Sequence, residues 1–146
     1  MTLPNNPFSM IPPVMTVRVE ESLDIMIVRD TARRAAGLVG FSPAERAQLS
    51  SAAATLAELI LKTGDPHVIR MNGTTDGRRR GLQISLQTPW LAGHSANNVL
   101  LALRNKMGEL VDEIQLTAEE EPTIIMIMWL REDSNTRATQ INPNIS

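Results

Sequence analysis

SSAAATLAELILKTG, running from Ser50 to Gly64, is the stretch on which the fold turns. It is rich in alanine and leucine, both strong helix formers, and Gly64 followed by Pro66 supplies a stop. Just upstream stands S-P-A-E, in which Ser42 serves as N-cap, Pro43 as the first helical residue and Glu45 as the partner that completes a capping box. Together these signals predict an amphipathic helix from Pro43 to about Thr63.

Working outward toward the N-terminus, Ser22 reads as the cap of a preceding helix, with Asp24 in its first turn to complement the helix dipole. Ile25, Val28, Ala32, Ala35 and Val39 fall on one face of that helix, and Arg29, Arg33 and Arg34 lie off it. Gly40 ends it. Before it, VMTVRV (Val14–Val19) alternates apolar with polar residues, as a half-buried strand does. Residues 1–13 are punctuated by prolines and read as an extended arm. The arm has no basic segment, so a signal peptide is not expected.

Downstream the period changes. HVIRMN (His67–Asn72) and LQISLQ (Leu82–Gln87) alternate, and Asp76-Gly77 between them signals a hairpin turn. Ser95 caps a third helix, NNVLLALRNKMGEL. DEIQLT (Asp112–Thr117) and TIIMIMWL (Thr123–Leu130) form a second hairpin. The last strand is almost wholly apolar, the pattern of a central strand buried on both faces. Residues 132–146 are polar and aperiodic and read as a disordered tail. The element order is β-α-α-β-β-α-β-β. Its economical packing is an α/β (α+β) two-layer sandwich: one mixed, mainly antiparallel sheet with three helices on one face. Residues 14–131 form that single domain.

Composition narrows the function classes. The chain has 146 residues, a net charge of −2, no cysteine and two histidines. A disulfide or thiolate metal site is excluded, the two histidines are too isolated for a zinc site, and nothing favours nucleic acid. No apolar run spans a bilayer, which makes a cytoplasmic protein the expectation.

The element order and the phrases inside it resemble the GHKL (histidine-kinase-like) ATPase domain, in particular the small bacterial switch kinases and anti-sigma regulatory factors. Three pieces carry the likeness. The first is VRVEESLDIMIVRDTARRAAGLVGFSPAERAQLSSAAATLAELI, the second the hairpin ending in GLQISLQT, and the third LRNKMGELVDEIQL followed by TIIMIMWL. The resemblance implies an ATP site on the second helix, with a glutamate that orients the attacking group and, one turn on, an asparagine that ligates magnesium. At those positions stand Thr55 and Leu59. Threonine is no carboxylate base and leucine holds no hard cation. Glu58 is near, about 100° round the helix from Leu59.

The resemblance also implies D-x-G-x-G after the second hairpin strand, where Gln87, Thr88, Pro89, Trp90 and Leu91 stand instead. Gln87 can accept the adenine's hydrogen bond through its carbonyl, but the glycines that admit the nucleotide are gone. Trp90 and Leu91 either plug the vacated pocket or pack locally. The glycine-rich lid is replaced by SANNVLLALRN. The degenerate site is therefore Thr55, Glu58, Leu59, Gln87, Trp90 and Leu91, with no catalytic or metal-binding residue, and the family's ATP and magnesium binding is expected to be lost.

What the resemblance then implies is a non-catalytic, pseudokinase-like regulator. It would dock a STAS-type antagonist, a sigma factor or a phosphatase in a bacterial partner-switching pathway, with Arg29, Arg33 and Arg34 as the docking flank. Two alternatives stay open. One is an active, atypical ATP-dependent serine/threonine kinase or ATPase using Glu58 and Gln87. The other is a small-ligand sensor using the former nucleotide cleft at Leu59, Leu86 and Trp90. A homo-oligomer is also open.

Overall fold

The structure, a computed structural model, describes residues 8–88, 101, 104–105, 111–116 and 122–131. Strand β1 (Ser9–Val19) is followed by helices α1 (Asp24–Val39) and α2 (Pro43–Leu61). Strands β2 (His67–Thr75), β3 (Arg80–Gln87), β4 (Glu113–Leu116) and β5 (Thr123–Trp129) complete the fold. The five strands make one open sheet in the order β1-β2-β3-β5-β4. It is an α+β arrangement with both described helices on one face.

The expected mixed sheet is corrected: all four strand pairings are antiparallel. The reason is the connection between β1 and β2. Two successive helices carry the chain back and forth once more than a single crossover helix would, so β2 re-enters the sheet antiparallel to β1. The third helix falls largely outside the described residues, although Leu101, Arg104 and Asn105 are helical.

The start of β1 also departs from expectation. The strand begins at Ser9, inside the segment read as an arm, and the proline pair Pro12-Pro13 lies within it. Proline donates no backbone hydrogen bond, which is why the sequence argues against a strand there. Here the pair sits on an edge strand, at a register shift between Ile11 and Val14, the two settings that tolerate it. The tail after Arg131 lies outside the described residues.

Local signals for the helices are realised unevenly. On α2 the Ser42 hydroxyl accepts from the Glu45 N–H at 3.3 Å, and the Glu45 carboxylate accepts from the Ser42 N–H at 2.9 Å. The capping box is complete. On α1 the expected Ser22 cap is not made; Leu23 occupies the cap position with no side-chain bond. Asp24 does the work instead, its carboxylate accepting the backbone N–H groups of Glu20 at 2.8 Å and Glu21 at 3.0 Å. These bonds favour the ionised form and lower its pKa. Gly40 closes α1 in the left-handed conformation.

The core lies between the helices and one face of the sheet. Val28, Ala32, Ala35, Ala36 and Val39 of α1 are buried there, together with Val17, Val19, Ile69, Met71, Ile84 and Met126 from the strands. The many alanines on α1 and α2 let the two helices approach closely. The buried residues of α2, from Leu49 to Ile60, cover roughly 200° of its circumference, a wider arc than a simple amphipathic stripe. β5 is buried on both faces, as its unbroken apolar run predicts. Its Ile124, Met126 and Met128 face the helices, and its Ile125, Ile127 and Trp129 form a second cluster on the far face with Phe8.

Candidate functional site

The positions to which the GHKL resemblance would assign catalysis lie on α2. Thr55 and Leu59 are one turn apart at the margin of the buried arc, and both are half-buried; Leu59 packs against the core. Glu58 is exposed, on the side away from Leu59. The helix layer at this point offers a hydroxyl and an alkyl group, which neither take a proton near neutral pH nor hold a divalent cation. Among the described residues no group of three or more His, Asp or Glu is gathered that could hold a metal ion.

Gln87 does not join these residues. Along β3, Leu82, Ile84 and Leu86 point into the helix-side core, so Ser85 and Gln87 point to the opposite face. Gln87 is exposed there. The expected grouping of Gln87 with Thr55 and Leu59 is thus corrected: the sheet separates them, because strand side chains alternate and Gln87 is an odd step from Leu86. The next residue, Thr88, is fully buried, with its backbone N–H and its hydroxyl both donating to the Pro122 carbonyl, at 2.6 Å and 2.8 Å. A residue already tied to the entry of β5 is not offered to a ligand. Trp90 and Leu91 lie outside the described residues.

The basic flank of α1 is exposed throughout: Arg29, Arg33 and Arg34 have neither hydrogen bond nor ion pair among the described residues. Sequence reasoning missed their company. Leu23, Met26, Ile27 and Leu38 are 70%, 63%, 52% and 63% exposed, all on the face of α1 turned from the core. They make a broken apolar stripe along one solvent-facing side: Leu23, Met26 and Ile27 stand together at the start of α1, and Leu38 lies about three turns further on, with Asp30 and Arg34 between. The signal was present in the sequence, since LDIMI carries more apolar residues than one buried stripe needs.

The far face of the sheet holds the second feature. Here a cleft of about 690 Å³ opens beside β1, β2, β3 and β5. Its floor includes Thr16, Val68, Arg70, Ser85, Gln87 and Thr123, and at one side the loop after α2 contributes Asp65 and Pro66 and the start of β2 contributes His67. Beyond it, the hairpin between β2 and β3 folds back over Trp129. Asp76 accepts from the N–H groups of Arg78 at 2.9 Å and Arg79 at 2.7 Å and from the Arg79 side chain, which lowers its pKa to about 2. The Arg79 guanidinium lies 4.1 Å from the centroid of the Trp129 ring, and Phe8 meets that ring edge-on at 5.1 Å. The arginine run 78–80 is exposed, and Arg79 is a structural strut as well.

Comparison with models of known protein families and with curated proteins finds no match for this chain. Among the described residues, no helix is long and apolar enough to cross a membrane.

Proposed function

We propose that this chain is a non-catalytic, GHKL-like regulatory domain that acts by binding a signalling protein through the outer face of α1. The observation that carries the reading is the stripe of Leu23, Met26, Ile27 and Leu38 flanked by Arg29, Arg33 and Arg34, all exposed. Three large apolar side chains, Leu23, Met26 and Ile27, exposed together within about one turn mark an interaction surface rather than ordinary surface scatter, and Leu38 extends it along the same side of the helix. The neighbouring arginines supply the directional, charge-steered part of recognition and favour a partner with an acidic docking face. STAS-type antagonists, sigma factors and phosphatase partners are the classes of protein that the GHKL resemblance suggests for this role.

The loss of nucleotide chemistry is supported by Thr55 and Leu59 on α2 and by the separation of Gln87 and Glu58 on opposite sides of the sheet. Lacking ATP handling, such a domain would regulate by occupancy: it holds or releases its partner.

The test is co-purification of the full-length chain from its native host, comparing wild type with Ile27→Glu and Leu38→Glu. A stoichiometric protein retained by wild type, lost from both variants and kept by a Lys62→Glu control supports the reading. An unchanged set of co-purifying proteins in the two α1 variants contradicts it.

A further inference from the structure

We infer that the cleft around Arg70, on the sheet face turned away from the helices, is a binding site for a small organic carboxylate. The inference does not rest on the docking role of α1.

Arg70 sits in the middle of β2. Strand register places Thr16 on one side of it and Ser85 on the other, with Ile125 next across β5. One residue pair further along, Arg18 pairs with Val68 across β1 and β2, and Gln87 pairs with Thr123 across β3 and β5. Arg70 thus stands among hydroxyls, an amide and aliphatic groups, with no carboxylate beside it in the sheet. It is half-buried and makes no hydrogen bond or ion pair among the described residues. Arg18, its neighbour on β1, is by contrast ion-paired with Glu20.

A half-buried guanidinium has lost part of its hydration, and its five N–H donors normally find acceptors. Where the described residues supply none, an anionic ligand can. The planar fork matches the two oxygens of a carboxylate in a paired, charge-assisted arrangement. The Thr16 and Ser85 hydroxyls flank the same spot and can donate to the outer lone pairs. Val68, which is 49% exposed, and Pro66 then line the way out with apolar surface for the ligand's body.

Charge selects the class. Among the described lining residues Arg70 is the one arginine or lysine and Asp65 the one carboxylate. A dianion such as a phosphate monoester would meet one positive charge and one negative; a monoanion is better matched. His67, whose Nδ1 lies 2.8 Å from the Asp65 carbonyl, is fixed at that rim. A cleft of about 690 Å³ lies within the size range, roughly 300–1,000 Å³, of small-molecule sites.

The experiment is a two-dimensional NMR titration of the full-length, isotope-labelled protein with benzoate, hexanoate, benzamide and inorganic phosphate as separate probes. The expected result is a saturable shift of the Arg70 Nε–H signal and of the Thr16 and Ser85 amides with benzoate or hexanoate. Benzamide, which keeps the shape and lacks the charge, is expected to leave them unmoved, and phosphate to bind more weakly. Arg70→Met, which keeps the stem, is expected to weaken carboxylate binding by about tenfold or more, and Arg70→Lys by less. No saturable shift with either carboxylate overturns the inference, as does equal response to benzamide, tighter binding of phosphate, or undiminished affinity in Arg70→Met. The Arg70 Nε–H readout on the unaltered protein stands even where a variant fails to fold.

Discussion

Replacing Gly81 by alanine and, separately, Gly37 by alanine makes one chemical change in two places, with opposite expected outcomes. Gly81 is buried on β3, opposite Trp129 of β5. A methyl group there would lie 2.5 Å from the Met128 carbonyl oxygen, 2.9 Å from Trp129 Cε3 and 3.2 Å from Trp129 Cα. Two of those atoms are backbone and the third is a ring pinned by Arg79, by Phe8 and by the bond its Nε1–H donates to Glu113. None can swing aside as a flexible side chain would. Strands β3 and β5 must part by roughly half an ångström or more, an overpacking cost of about 2–3 kcal/mol. Gly37 lies within α1, and a methyl group there meets only the Arg46 side chain at 3.6 Å, an ordinary contact. Helix propensity then makes Gly37→Ala stabilising by about 0.5–1 kcal/mol. Thermal unfolding followed by far-ultraviolet circular dichroism reads both. Gly81→Ala is expected to melt roughly 6–12 °C below wild type and Gly37→Ala about 2–3 °C above it. A Gly81→Ala protein that melts within a degree of wild type would refute the packing of Trp129 against β3.

Ser42→Ala removes one half of the α2 capping box and is expected to cost about 1 kcal/mol, measured by urea unfolding with an unchanged m-value. Asp76 has its pKa lowered to about 2 by the backbone N–H groups of Arg79 and Arg78 in the turn. A depressed carboxylate contributes order that is present above its unfolded pKa and is lost as pH falls through the folded one, so the hairpin turn is expected to loosen between about pH 4 and pH 2. A carboxyl carbon titration with a midpoint near 4 would contradict this, as would turn amides that do not respond to acid.

Much of the fold was legible from short-range signals. The capping box at Ser42 and Glu45, the Asp76-Gly77 turn, and the apolar run of β5 each depend on neighbours a few residues apart, and each is realised. What the sequence could not resolve depends on distant partners. Pro12 and Pro13 argue against a strand until the edge position and register shift of β1 are known. The direction of β2 depends on how many helices intervene. Gln87 reads as a member of the α2 site in one dimension, and only the alternation along β3, anchored by Leu86 in the core, sends it to the other face. The Arg70 cleft escaped for the same reason. HVIRMN and LQISLQ each announce a polar face, but their joint meaning appears only when register sets Arg70 beside Ser85. The α1 stripe was readable as surplus apolar residues, and its exposure is what turns surplus into a surface.

The most direct measurement is isothermal titration of the full-length protein with magnesium and ATP. With Thr55 and Leu59 on α2 and Gln87 across the sheet, titration into the millimolar range is expected to give no saturable heat. A saturable isotherm with a micromolar Kd would contradict the proposed loss of nucleotide handling and favour an active ATPase.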